Sequence, residues 1–211
     1  MKKILVLPAL LLAMATANGQ DLVVLPSPKT DGGMPLMDAL RSRESGRSFA
    51  ADELSLQQLS NLLWAANGIS RANGKRTAPC SMNYQEIDVY VLLKAGIYRY
   101  DAKGNTLVPV ADGDFRSAAG KQDFVATAPV NLAYVADFSR VPKGETEAQV
   151  KASYANSGFI AQNVYLFCAS EKLACVVRAY FDPKVLGDAL KLNPTQRIVL
   201  TQTVGKKGEG L

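Results

Sequence analysis

Two arginines and a serine stand close together in the stretch Arg43-Glu44-Ser45-Gly46-Arg47-Ser48-Phe49. A guanidinium presents planar, paired donors that match phosphate oxygens, Ser45 adds a neutral donor, and Gly46 lets the backbone approach. Phe49 can bury and anchor the loop, so the segment suits a phosphate-bearing ligand. What can be done with such a ligand is narrowed by one count: the 211 residues include no histidine. Without imidazole there is no Ser-His-Asp or Cys-His nucleophile, and no zinc or non-haem iron site built on histidines of this chain. The glycine-rich stretches GKKGEG and DGG match neither a P-loop nor a dinucleotide fingerprint. Cys80, Cys168 and Cys175 lack CxxC spacing; both a Cys168–Cys175 bridge and buried free thiols are compatible with their positions.

The elements that must position these residues follow from periodicity. Pro35 opens a helix through Leu36, Met37 and Leu40, which runs into the polar segment just described. Ser55 followed by Gln58 is a capping-box signature, and Leu56, Leu59, Leu62, Leu63 and Ala66 form an apolar stripe ending near Asn67-Gly68. The runs IDVYVLLK, IYRY and TLVPV read as strands joined by turns at Gly96 and Gly104-Asn105. A shorter helix is expected over 114–122, a central strand in PVNLAYVAD, and a long helix over 145–172. Residues 152–170 of that helix carry no charge yet include Asn156, Ser157, Gln162 and Asn163. The polar groups argue against a membrane span and for burial against a second subunit. Leu173 to Phe181 reads as a strand, Asp182-Pro183 as N-cap and first helical residue, 184–192 as a short helix and 197–204 as a last strand. The class is α+β, with a central, mainly antiparallel sheet flanked by helices.

Residues 1–19 carry two lysines, an apolar run from Ile4 to Met14 and small residues at Ala15 and Ala17, which together read as a cleaved secretory leader. Export to a bacterial periplasm follows. Residues 20–34 read as an extended arm and 35–211 as one domain. The formal charge is +5 with the leader, and loss of Lys2 and Lys3 lowers it further. No basic cluster alternates with aromatics, so a nucleic-acid partner is not expected.

Several segments taken in order resemble the nitroreductase family of flavin enzymes, and more closely its SagB-type dehydrogenase branch. The R-x-S-x-R-x-F-like opening at Arg43–Phe49 is followed by a helix with Leu63-Trp64-Ala65-Ala66 and Gly68-Ile69. Then come Arg76-Thr77-Ala78-Pro79-Cys80-Ser81-Met82-Asn83, the strand IDVYVLL, the hairpin residues Ile97–Asp101, the helix residues Gly158–Asn163 and the strand residues Ala174–Val177. The resemblance implies an intertwined homodimer with FMN at its interface. It implies that Arg43, Ser45 and Arg47 hold the phosphate and ribityl end. Pro79, Cys80, Ser81 and Asn83 would line the isoalloxazine from the other subunit, and a backbone N–H within Val177, Arg178 and Ala179 would meet flavin N5. The chemistry would then belong to the cofactor, so the missing histidine is no objection. Tyr84, Tyr98 and Tyr100 read as packing residues.

Many nitroreductases set a C-terminal arginine on the phosphate; here Lys206 or Lys207 would stand in, as a mobile point charge rather than a fork. The implied activity is exported FMN-dependent oxidation or reduction of a small stacked substrate, with NAD(P)H or another reductant as electron donor. The alternative is a flavin- or ligand-binding relative that keeps the dimeric scaffold without turnover.

Overall fold

The computed structural model describes residues 21–208. The leader read over 1–19, together with Gln20 and the last three residues, lies outside the described residues. The arm is extended and adds a short strand, β1 (Val23–Val24). Helix α1 (Leu36–Ser42) begins just after Pro35. Helix α2 (Leu56–Asn67) carries the expected reciprocal box between Ser55 and Gln58. Strands β2 (Ile87–Leu92), β3 (Gly96–Asp101) and β4 (Thr106–Asp112) form a meander, and β5 (Val130–Asp137) pairs with β2. The long helix α4 (Glu147–Ser170) follows, then β6 (Leu173–Arg178), α5 (Pro183–Ala189) and β7 (Gln196–Lys206). Asp182 caps α5 with Pro183 at its first turn, as the sequence implies.

All seven strands join one antiparallel sheet in the order β1-β4-β3-β2-β5-β7-β6. The last strand therefore inserts between β5 and β6. Side chains alternate across the sheet, which explains why β2 is buried along its whole length. Val89 and Val91 face α2 and α4 in a core that also holds Leu62, Leu63, Leu132, Tyr134 and Val164. Tyr90 and Leu92 face the opposite layer with Val125, Leu186 and Leu190.

Two expectations need correction. The helix over 114–122 is a 3-10 turn at Arg116–Ala119, followed after a break by the one-turn helix α3 (Phe124–Thr127). Buried Arg116 holds Asp114 and the Thr127 and Ala128 carbonyls, folding the segment back on itself where a straight helix could not reach. The second concerns α4. Of the four polar residues named there, Asn156 and Ser157 are buried within the chain itself, beside Ser153, whereas Gln162 and Asn163 are not buried. The uncovered face instead presents Tyr154, Phe159 and Gln162. Cys168 and Cys175 are buried free thiols.

Candidate functional site

The Arg43–Phe49 segment leaves α1 and runs along the free edge of β6. The Gly46 N–H donates to the Cys175 carbonyl at 3.0 Å. A Cβ on Gly46 would lie 2.9 Å from the Ala174 Cβ, so the close approach requires glycine. Strand β7 closes the other side: Ala50 N–H bonds Lys206 O and Gly208 N–H bonds Ser48 O. That pairing brings Lys206 and Lys207 beside the segment. In the chain as it stands Lys207 pairs with Glu44 at 2.8 Å and Lys206 with Asp52 at 3.8 Å, both at the exposed surface. The Lys207 ammonium holds the exposed Glu44 carboxyl below its ordinary pKa.

Arg43 and Arg47 make no ion pair among the described residues. Arg47 reaches only its own loop, donating to Ser45 O at 3.4 Å, and Arg43 lies over the Tyr165 ring, 5.4 Å from its centre. Tyr165, on α4, is a residue the sequence reading missed. Its hydroxyl lies 2.8 Å from Ser45 Oγ and accepts the Val177 N–H at 3.1 Å. The only signal for it was a tyrosine inside the uncharged stretch 152–170. A cavity of about 240 Å³ lies behind it, lined by Met34, Glu44, Cys168, Cys175 and Lys207 among others.

At the end of β6 the three residues named from the sequence diverge. The Val177 N–H is taken by Tyr165, so Val177 does not offer that donor outward. Arg178 turns to the opposite face, where it is only 7% exposed. There it donates to Asn131 Oδ1 at 2.9 Å, Thr203 Oγ1 at 2.5 Å and Ala119 O at 3.3 Å, and stacks near Phe124. Its Nε and the nearby Gln122 Oε1 are buried without a partner. Burial with no carboxylate beside it pulls this guanidinium down to about 10. Ala179 is exposed just past the strand.

Pro79, Cys80, Ser81 and Asn83 belong to a turn tied to the other end of α4. Met82, Asn83 and Gln85 all adopt positive φ, near 50°, a strained concentration for non-glycine residues. Beneath them Glu86, 2% exposed, accepts from Cys80 Sγ (3.0 Å), Ser153 Oγ (3.0 Å) and Asn156 Nδ2 (2.8 Å). The Asn156 carbonyl oxygen receives the Ser81 N–H at 3.2 Å. Burial and Glu86 push the Cys80 thiol up to about 11. Nine residues separate Asn156 from Tyr165, about 13 Å along a helix. One chain therefore sets its two groups of candidate residues at separate stations on α4. A further groove of about 700 Å³, between the arm, α2 and the outer side of α4, touches neither group.

Residues 40–206 match the family model described as the nitroreductase family. A relative from Methanocaldococcus jannaschii named as a nitroreductase is 30% identical over 185 residues, covering 82% of this chain and 92% of that one. A crystal structure from Ralstonia eutropha JMP134, also named as a nitroreductase, is 39% identical with a TM-score of 0.85, covering 99% of this chain and 97% of its own. The NADPH:FMN oxidoreductase of Vibrio harveyi shares the fold at 16% identity, with a TM-score of 0.63 over 83% of this chain and 69% of that one. The chain thus belongs to the nitroreductase family, and with it to the flavin-dependent oxidoreductases.

Proposed function

We propose that the chain is an exported, homodimeric FMN oxidoreductase of the SagB-type branch, acting on a small molecule stacked over the flavin. The observation that carries the cofactor reading is a pair of guanidinium groups, Arg43 and Arg47, flanking the exposed hydroxyl of Ser45, neither of them in an ion pair among the described residues, while the nearby Glu44 carboxylate is held by Lys207. Such a donor set fits a phosphate dianion. FMN, when bound, supplies the hydride and electron transfer. Arg43, Ser45 and Arg47 hold its phosphate; Lys206 and Lys207 exchange exposed carboxylate partners for it, at little cost in surface ion pairing. The N–H at Ala179, rather than that of Val177, meets the ring edge, since the alternation along β6 turns the Arg178 N–H toward β7.

The reading includes a second copy of the chain. The strained Pro79–Asn83 turn stands well away from the arginines of its own chain, and a two-fold axis across the exposed Tyr154–Phe159 face of α4 would deliver it to the partner's arginines. The turn then covers the ring and excludes water. Vibrio harveyi's enzyme was solved with NAD+, which favours a nicotinamide donor here as well.

The test uses chain from Gln20 onward, purified and reconstituted with FMN. It should be yellow, and NADH or NADPH should bleach it without oxygen. Protein that stays colourless after reconstitution overturns the reading. Fractionation of the host cell should place the processed chain outside the inner membrane; recovery of unprocessed chain in the cytoplasm overturns export.

A further inference from the structure

We infer that Tyr165 is a positioning residue whose hydroxyl relays the Val177 N–H to Ser45 and turns the Ser45 hydroxyl into an outward donor for the cofactor's phosphate. The inference rests on the FMN reading above and deepens it. Its basis is the direction of the bonds. The phenol oxygen accepts from Val177 N–H at 3.1 Å. Its own single hydrogen then needs an acceptor, and among the described residues the one it meets is Ser45 Oγ at 2.8 Å. Ser45 is thereby made an acceptor toward the helix, and its hydroxyl hydrogen is left to point away from Tyr165. Ser45 is exposed, so that hydrogen faces the space flanked by Arg43 and Arg47. The result is a chain of donors with one sense, from amide to phenol to serine to anion, in which each bond polarises the next.

The stacking of Arg43 over the same ring, 5.4 Å from its centre, ties one arginine to the same side chain. Tyr165 is itself buried, on the inner side of α4. It is therefore held by its surroundings and does not need the ligand to order it. The Gly46 N–H bond to Cys175 O fixes the loop to β6 one residue away from Ser45, so Ser45 and Val177 cannot drift apart while the phenol bridges them.

The test compares FMN with riboflavin, which lacks the phosphate, titrated into the full chain and followed by flavin fluorescence. Tyr165→Phe keeps the ring and removes only the hydroxyl. It should weaken FMN about three- to tenfold and leave riboflavin unchanged. Ser45→Ala should do the same, and the double variant should bind FMN no more weakly than Ser45→Ala alone. FMN binding unaffected by Tyr165→Phe overturns the relay, as does an equal loss for FMN and riboflavin, or losses that add in the double variant. Should Tyr165→Phe fail to fold, the exposed Ser45→Ala carries the test: equal losses of FMN and riboflavin would overturn the outward donor. A wild-type chain that binds neither flavin overturns the FMN reading and the relay together; wild-type binding with an inert Tyr165→Phe overturns the relay alone.

Discussion

A half-buried thiol above a buried carboxylate is a hydrogen-bond donor and a poor nucleophile, and Cys80 is placed in that situation by Glu86. Its ionisation moves from the ordinary value near 9 to about 11. At pH 8 the thiolate fraction falls with it, so alkylation by iodoacetamide should run about a hundredfold slower than for free cysteine. A rate equal to that of the free amino acid would show that Glu86 does not hold the proton. The stability consequence has the same sign. A thiol that ionises late in the folded chain adds stability that is complete below about pH 9 and lost as the pH climbs through about 11. Chemical denaturation across that window should show the loss, and Cys80→Ala should remove the part due to this group. At this scale the sequence was legible where chemistry is local. Arg43, Ser45 and Arg47 are three neighbours whose types alone suggest a phosphate. Tyr165 was not legible, because its meaning depends on a contact with Ser45 across 120 positions of chain. Glu86 was missed for the same reason: its donors at Ser153 and Asn156 arrive from a different element.

Elements are built on close approaches as much as on propensity, and the edge of β6 shows it. Gly46 lies so near Ala174 that an added methyl would overlap it at 2.9 Å. Gly46→Ala should push the Arg43–Phe49 segment off the strand and destabilise the fold by about 1–3 kcal/mol. The urea midpoint reads the first effect, and FMN affinity, expected to fall in parallel, reads the second. A variant with unchanged midpoint would mean the loop can yield freely. The helices α2 and α5 were readable because caps such as Ser55 and Asp182 act within three residues. The segment 114–122 was misread because its conformation is dictated by Arg116 reaching the Thr127 and Ala128 carbonyls, a pattern with no helical period.

For the molecule as a whole, the uncovered face of α4 is the feature that asks for a partner. Tyr154 is 51% and Phe159 46% exposed, on a helix whose inner face is fully committed to the core. Phe159→Glu should convert a dimer to a monomer in light scattering and abolish FMN retention while sparing the fold, since the side chain stands outside the chain's own core. A wild-type monomer that retains FMN would contradict the two-chain site. The antiparallel sheet itself was legible as a set of strands, whereas their order was not: nothing local to 196–206 says that this run separates β5 from β6.

That strand order also dictates when the cofactor pocket can exist during synthesis. Among the described residues β6 has a single sheet neighbour, and that neighbour, β7, is made after every other strand of this sheet. Until it emerges, the residues bracketing Tyr165 have no wall behind them and the arginine loop no strand to lean on. A nascent chain halted before residue 196 would carry every arginine and serine of the site yet lack the strand that braces β6, so the site takes shape only once β7 has been made.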